Sequence, residues 1–227
     1  MKVVISQSNY IPWRGFIDLI SQADIYVVFD SMQFTKNDWR NRNLIRNRNS
    51  IQWLSIPCGQ SISRSIDEVF PVKSNWFIKH AETIRHCYSN APYWSVYGKI
   101  LLDHYKLLAS MSLSQLNIEL LKLALEFNKS ETSIVRDNEL FSKEYLLKTE
   151  KSKRLVEICL ELNASTYITA PAAKNYLNID IFEEANISVD FFKYPQYSGI
   201  SSELPELSWV DSLLMNGTIL PMLNDKA

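Results

Sequence analysis

The chain has 227 residues, 46% of them hydrophobic, and its 24 Lys and Arg against 25 Asp and Glu leave a net charge of −1 at pH 7. So even a balance argues against general attraction to nucleic-acid backbone, and the length fits one large domain or one domain carrying an insertion. Cys58, Cys87 and Cys159 are odd in number, widely spaced and outside any CxxC or Cys/His ligand pattern; reduced thiols, no disulfide framework and no metal site are expected.

The opening MKVVISQSNYIPW has an apolar run too short for a signal-peptide core. The stretch from Ile100 to Leu125, the most apolar of the long segments, is interrupted by Asp103, Lys106, Gln115, Asn117, Glu119 and Lys122. No membrane span is expected, and a soluble cytoplasmic protein follows.

In chain order, Val3 to Ser6 reads as a short buried strand, followed by a turn through SQSNYIP and a helix from Trp13 to Gln22 with Phe16, Ile17, Leu19 and Ile20 on its apolar face. Asp24 to Asp30 is apolar almost throughout, as a central parallel strand should be. Strand, helix and strand form a right-handed βαβ unit, in whose sheets ligands gather at the carboxyl ends of strands. Gln7, Ser8, Asn9 and Tyr10 leave the first strand at that edge; Asp30, Ser31, Met32 and Gln33 leave the second.

The stretch QFTKNDWRNRNLIRNRNSIQW, residues 33–53, starts at the same edge. Arg40, Arg42, Arg46 and Arg48 alternate with Asn41, Asn43, Asn47 and Asn49, interleaved with Phe34, Trp39 and Trp53. Arg presents a planar fork matched to phosphate or carboxylate, Asn presents donor and acceptor together, and Trp offers a face to a sugar or base. A solvated hairpin whose Arg and Asn merely tolerate turns would read the same way. Its distal part, Ile51 to Pro57, alternates like a strand and is expected to return into the sheet, and Ile66 to Val72 is a further candidate strand.

Beyond Ser74 the pattern becomes helical. Trp76 to Tyr88 places Phe77, His80, Ile84 and Cys87 on one face, and helices over Pro92 to Leu108 and Leu113 to Asn128 follow, with Leu116, Leu120, Leu123 and Phe127 turned to the core. A strand within Thr132 to Leu140, a helix from Lys151 to Leu162, a strand from Thr166 to Ala170, a short helix from Ile181 to Ala185 and a strand from Val189 to Tyr194 resume the βαβ rhythm. Leu207 to Met215 closes as a helix with Asn216-Gly217 as its stop. The expected architecture is a single α/β domain over 1–227, Rossmann-like with a mostly parallel sheet, carrying a helical insertion over 74–130.

The segment QSNYIPWRGFIDLISQADIYVVFDSMQFTKNDWRNRNLI, followed by QWLSIP, resembles the opening signature of the WbqC-like family of bacterial proteins. Weaker similarity runs through KHAETIRHCYSNAPYW and TYITAPAAKNYLNIDIFEEANISVDFFKY to LSWVDSLLMNG. The resemblance implies a role in building O-antigens and other surface polysaccharides, with attachment of an acyl or aminoacyl group to the amine of a nucleotide-activated amino sugar. It implies as donor an acyl or aminoacyl carrier thioester, with an acyl carrier protein to deliver it; no other cofactor is evident. The order strand, P-x-x-G, helix, A-D, strand is also similar to the opening of the nucleotidylyltransferase superfamily. Trp13 and Phe16 stand where that superfamily places its two phosphate-holding His residues, so nucleotidyl transfer by that route is not expected.

N-acylation of a sugar amine requires a base and donors at the developing oxyanion. Of the histidines His80, His86 and His104, His80 is the candidate base, with a satisfied core histidine as its alternative. Asp30, at a strand end, is the second catalytic candidate: it would orient a base, accept a proton or hold sugar hydroxyls, or else serve as a turn Asp accepting backbone amides. Cys87 shares a face with His80 but lies about 10 Å away along the helix, beyond hydrogen-bond reach. For substrate binding, Arg40, Asn41, Arg42, Asn43, Gln33 and Asn37 are the candidate contacts to diphosphate or carrier phosphate, with Trp39 beside them and with Gln7, Tyr10 and Trp13 shaping the other wall. Tyr10 and Trp13 have the alternative of stapling the helix entry, and Gln33 and Asn37 that of capping a turn. Two further readings stand behind the transferase: a non-catalytic binding or scaffold protein of the same pathway, favoured if Trp76, Trp94 and Tyr97 form an exposed patch, and, last, single-stranded nucleic-acid binding with a steep salt dependence.

Overall fold

The computed structural model describes residues 1–48, 50–59, 63–199, 204 and 206–220. In chain order its elements are strand β1 (Lys2–Ser6), helix α1 (Arg14–Ser21), β2 (Ile25–Val28), β3 (Arg42–Asn47), β4 (Ser50–Ser55), a 3₁₀ turn (Ile66–Glu68), α2 (Trp76–Tyr88), α3 (Trp94–Leu107) and α4 (Leu113–Phe127). There follow β5 (Ser133–Arg136), α5 (Asp137–Leu140), α6 (Lys143–Lys148), α7 (Lys151–Glu161), β6 (Thr166–Thr169), a second 3₁₀ turn (Pro171–Asn175), α8 (Asp180–Glu184), β7 (Ser188–Phe191) and α9 (Trp209–Asn216). The chain divides into two compact units, one made of Met1–Ser8, Asp18–Met32 and Ser130–Tyr194, the other of Asn9–Ile17, Gln33–Lys129 and the residues from Pro195 onward.

The first unit is an α/β sheet of Rossmann type. Its five strands lie in the order β5-β2-β1-β6-β7, all parallel, with Val3 opposite Ile25 on one side of β1 and opposite Tyr167 on the other. Numbered by their succession within the sheet, the strands run 3-2-1-4-5, so the order reverses beside β1. The chain steps one way across the sheet from β1 to β2 and the other way from β5 through β6 to β7, and crossovers of one hand running in opposite directions put helices on both faces. That is why Val3, Val4, Ile5, Tyr26, Val27 and Val28 are all buried and why these strands read as continuous apolar runs. The core joins Val3, Ile5 and Val27 to Ile158 and Cys159 of α7 and to Tyr167, whose ring stacks on Phe182 of α8 at 5.3 Å.

The second unit joins the β3–β4 hairpin to α2, α3, α4 and α9. Trp76 packs edge-on against His80 at 5.2 Å and Tyr105 at 6.4 Å, and Phe127 of α4 meets Trp209 of α9 at 6.3 Å. The buried stripe of α2 is Trp76, His80, Ile84 and Tyr88, at four-residue spacing; Phe77 and Cys87, expected on that face, are half-buried at its margins. The helices expected over 74–130, α2 to α4, share this unit with the hairpin and α9. Gly217, with φ of 76°, ends α9 in the left-handed conformation that a stop at Asn216-Gly217 requires.

Some expectations are corrected. Residues 51–57 do not return into the parallel sheet: β4 pairs antiparallel with β3 alone, from Arg42 opposite Ser55 to Asn47 opposite Ser50. An alternating segment fits a hairpin as well as a sheet edge, and adjacency in sequence decides for the hairpin. Residues 66–72 hold a 3₁₀ turn at Ile66–Glu68 rather than a strand, because the Glu68 carboxylate turns back to accept the Ser65 amide at 3.1 Å. The strand expected within 132–140 ends at Arg136, where Asp137 opens α5. Among the described residues, no helix is long and apolar enough to cross a membrane.

Candidate functional site

At the carboxyl ends of the first unit's strands, buried polar groups fasten the loops. Asp30, 1% exposed, accepts the Ser8 amide at 2.8 Å, so the carboxylate behind β2 holds the chain leaving β1. Asp137, behind β5, accepts the Ser31 amide at 3.0 Å. Burial pushes the Asp137 carboxyl up to about 6, the Ser31 bonds working against burial and the charge of Asp30 adding to it. Gln7 is half-buried at the end of β1, where its carbonyl accepts the Tyr26 hydroxyl at 3.3 Å. Asp30 thus accepts a backbone amide, as its turn alternative describes.

The second unit holds a cavity of about 390 Å³ lined by Asn9, Pro12, Trp13, Trp39, Asn43 and Glu206. Its walls are built on hydrogen bonds radiating from Tyr10, whose amide donates to the Trp39 carbonyl at 2.9 Å and whose carbonyl accepts Nδ2 of Asn43 at 3.1 Å. Oδ1 of Asn43 accepts the Leu44 amide at 2.7 Å. Trp13 stands edge-on to Tyr197 at 6.5 Å, and a Cβ placed on Gly15 would run into the Trp13 indole, so the glycine leaves the ring its place.

Along β3 the pleat sends Arg42 and Arg46 to one face and Asn43 and Asn47 to the other, which is what the Arg/Asn alternation encodes. Arg46 is consumed structurally: its Nε and a terminal nitrogen donate to the buried Asp211 at 3.0 and 3.3 Å, and the Tyr88 hydroxyl donates to the same carboxylate at 2.9 Å. Arg42 is different. Its guanidinium lies 4.1 Å over the Trp53 ring, it donates no hydrogen bond to any described residue, and its Nε is buried without a partner. Trp53 is in turn 5.5 Å from Trp39, the two rings tilted by 44° and 45% and 40% exposed. Arg40 donates to Oδ1 of Asn9 at 3.1 Å and lies 3.7 Å from Asp38. Burial would raise the Asp38 carboxyl, but the Thr35 hydroxyl and Arg40 hold it below the usual carboxylate range.

The other candidates take structural places. Asn41 is buried and gives Nδ2 to the Ile56 carbonyl at 3.0 Å. Asn37 is an exposed turn residue with φ of 59°, and Gln33 is exposed where its backbone bridges Ser65. Arg48 lies exposed in the hairpin turn, and Asn49 is outside the described residues.

His80 is 6% exposed. Its Nε2 faces the Ser55 carbonyl at 3.1 Å and must carry the proton, so Nδ1 accepts from the Tyr10 hydroxyl at 2.7 Å; Tyr10 in turn accepts from the Tyr105 hydroxyl at 2.6 Å. Burial lowers the ring to about 4, so it is neutral near pH 7 with both nitrogens engaged. That is the arrangement of a core histidine, and it belongs to the second unit while Asp30 belongs to the first. Trp76 is buried and Trp94 and Tyr97 are half-buried, so these three rings form no exposed patch. Among the described residues, no group of three or more His, Cys, Asp or Glu side chains is placed to hold a metal ion.

Of the residues singled out from sequence, Trp13, Trp39 and Asn43 line this cavity and Arg42 does not; Asn9, Pro12 and Glu206 line it without having been singled out. Asn9 follows β1 and shares its turn with Tyr10; Glu206 has no local pattern that marks it.

The family model of the WbqC-like protein family matches residues 7–219. The uncharacterized protein Rv1507c of Mycobacterium tuberculosis is 33% identical over 198 residues, which cover 86% of this chain and 84% of that protein. No solved structure matches significantly. The matched span takes in every element from α1 to α9, the whole of the cavity and the Arg42 stack, and the chain belongs to the WbqC-like protein family.

Proposed function

We propose that the second unit's cavity binds a nucleotide-activated amino sugar and that the protein attaches an acyl or aminoacyl group to the sugar's amine in the assembly of bacterial surface polysaccharides such as O-antigen. The observation that carries this reading is Arg42, stacked on Trp53 with its fork free of hydrogen bonds among the described residues, Trp53 being in turn 5.5 Å from Trp39 of the cavity wall. Arg42 also acts by its charge on the Asp38 carboxylate but makes no hydrogen bond or ion pair with it, and an arginine held by an aromatic face with its fork unbonded is preorganised for a phosphate. Indole faces and side-chain amides are the surfaces on which a pyranose ring and its hydroxyls are held. A volume near 390 Å³ falls within the ordinary range for small-molecule sites. Membership of the WbqC-like family supports the polysaccharide setting. The acyl donor in this reading is a thioester presented on an acyl carrier protein.

The closure of His80 by Ser55 and Tyr10 favours a second reading, a non-catalytic nucleotide-sugar or carrier-binding protein of the same pathway. Both readings are tested by titrating wild type, Arg42→Ala and Arg42→Lys with UDP-linked amino sugars in a calorimeter, then adding acyl thioesters and following thiol release. Binding is expected to weaken roughly 10- to 100-fold in Arg42→Ala, with little recovery in Arg42→Lys, since a charge-assisted hydrogen bond contributes about 1.5–3 kcal/mol. Thiol release dependent on the sugar selects the transferase. Binding without release selects the second reading, and no binding by the wild type removes both.

A further inference from the structure

Glu206 stands in the wall of the cavity with Trp13, Trp39, Asn9 and Asn43. Glu206 is exposed, and the chain is pinned on its C-terminal side: the Ser208 amide donates to the Leu44 carbonyl at 3.0 Å, the Trp209 amide donates to the Pro12 carbonyl at 2.7 Å, and Ser208 bridges Trp13 in antiparallel fashion. Its carboxylate makes no hydrogen bond or ion pair with any described residue, whereas Asp38 and Asp211 in the same unit are each paired with an arginine.

An uncommitted carboxylate beside indole rings suits one chemical class above others. It repels phosphate, so it cannot serve the anionic end of a ligand. A neutral hydroxyl gains only an ordinary hydrogen bond from it. An ammonium group gains Coulomb attraction, a charge-assisted hydrogen bond and attraction to the indole faces together. We infer that Glu206 is the residue that selects a positively charged amine on the ligand, so that the cavity reads an amino sugar by its ammonium. This deepens the nucleotide-sugar reading above, in which the anionic end of the same ligand goes to Arg42.

The test uses the full chain and two ligand series. The first is methyl glucoside and its 2-, 3- and 4-amino-deoxy counterparts, followed by ligand-observed NMR; the second is the same set linked to UDP. At least one amino derivative is expected to bind wild type about tenfold or more tightly than its neutral parent, with the preference lost in Glu206→Gln and kept in Arg42→Ala. Equal binding of neutral and amino sugars, or a preference that survives in Glu206→Gln, overturns the role of Glu206. If the UDP series binds through Arg42 without any preference for the amine, that role falls while the nucleotide-sugar reading stands. If the methyl series shows the Glu206-dependent preference but UDP adds no affinity, the nucleotide falls and Glu206 stands. Wild type that binds neither series overturns both. Circular dichroism of Glu206→Gln confirms that the variant is folded.

Discussion

His80 and Asp137 are buried groups whose protonation shifts in opposite senses. Burial lowers His80 to about 4 from an ordinary value of 6.5, so on unfolding below pH 6.5 it takes up a proton, and the stability it confers is lost as the pH falls from about 6.5 through 4. Burial raises Asp137 to about 6 from 3.8, so its contribution is present in acid and lost as the pH rises through about 6. Between pH 4 and 6 the two dependences oppose one another. Removing either leaves the other exposed, so His80→Gln is expected to lose stability relative to wild type as the pH rises across this window and Asp137→Asn to gain it. Each relative slope should approach that of one proton, about 1.4 kcal/mol per pH unit. Denaturant titrations at pH 4, 5, 6 and 7 measure this, and variant curves parallel to the wild type would contradict it. The same geometry explains why a histidine on an apolar helix face looked like a base from sequence: its residue type was visible, but the Ser55 carbonyl and Tyr10 hydroxyl that occupy it come from distant positions.

Elements were legible where a period of 2 or 3.6 ran long enough, as in α2, which spans Trp76–Tyr88 as its pattern predicts. They were not legible where local chemistry overrode propensity, as at Ser65 and Glu68, or where one pattern served two pairings, as in β4. The start of α1 carries a further consequence. Gly15 sits in the first turn of that helix, where alanine has the higher helix propensity by up to about 1 kcal/mol, yet its missing Cβ is the space taken by the Trp13 indole. Gly15→Ala is therefore expected to change stability by no more than about 1 kcal/mol, the gained propensity offsetting the displaced ring. It should nonetheless move Trp13 out of the cavity wall. A crystal structure of the variant with a changed Trp13 rotamer, together with a thermal melt, checks both halves; an unmoved Trp13 would refute the argument.

At the scale of the molecule, the parallel sheet is tied together by its earliest strand. β1 is bonded to β2 on one side and to β6 on the other, while β5 and β7 lie at the edges. Val3, Val4 and Ile5 are buried within it. Their amides should be the slowest of the first unit to exchange with solvent, and those of β7 the fastest among its strands, in a native-state hydrogen-exchange measurement; equal protection of centre and edge would argue against this hierarchy. The sheet's parallel type was readable from apolar runs and βαβ rhythm. Of the cavity's lining, Trp13, Trp39 and Asn43 stood out by residue type, whereas Asn9, Pro12 and Glu206 carry no local pattern that marks them, Glu206 coming from a distant part of the chain.

The last strand of the sheet ends at Phe191, while Glu206 and the Ser208 and Trp209 amides that position it follow later in the chain. During synthesis, every strand of the sheet emerges from the ribosome before this wall of the cavity exists. A polypeptide cut short between the two would carry the described strands of the sheet but lack the Glu206 side of the cavity, so the sheet's strands are made before that wall is.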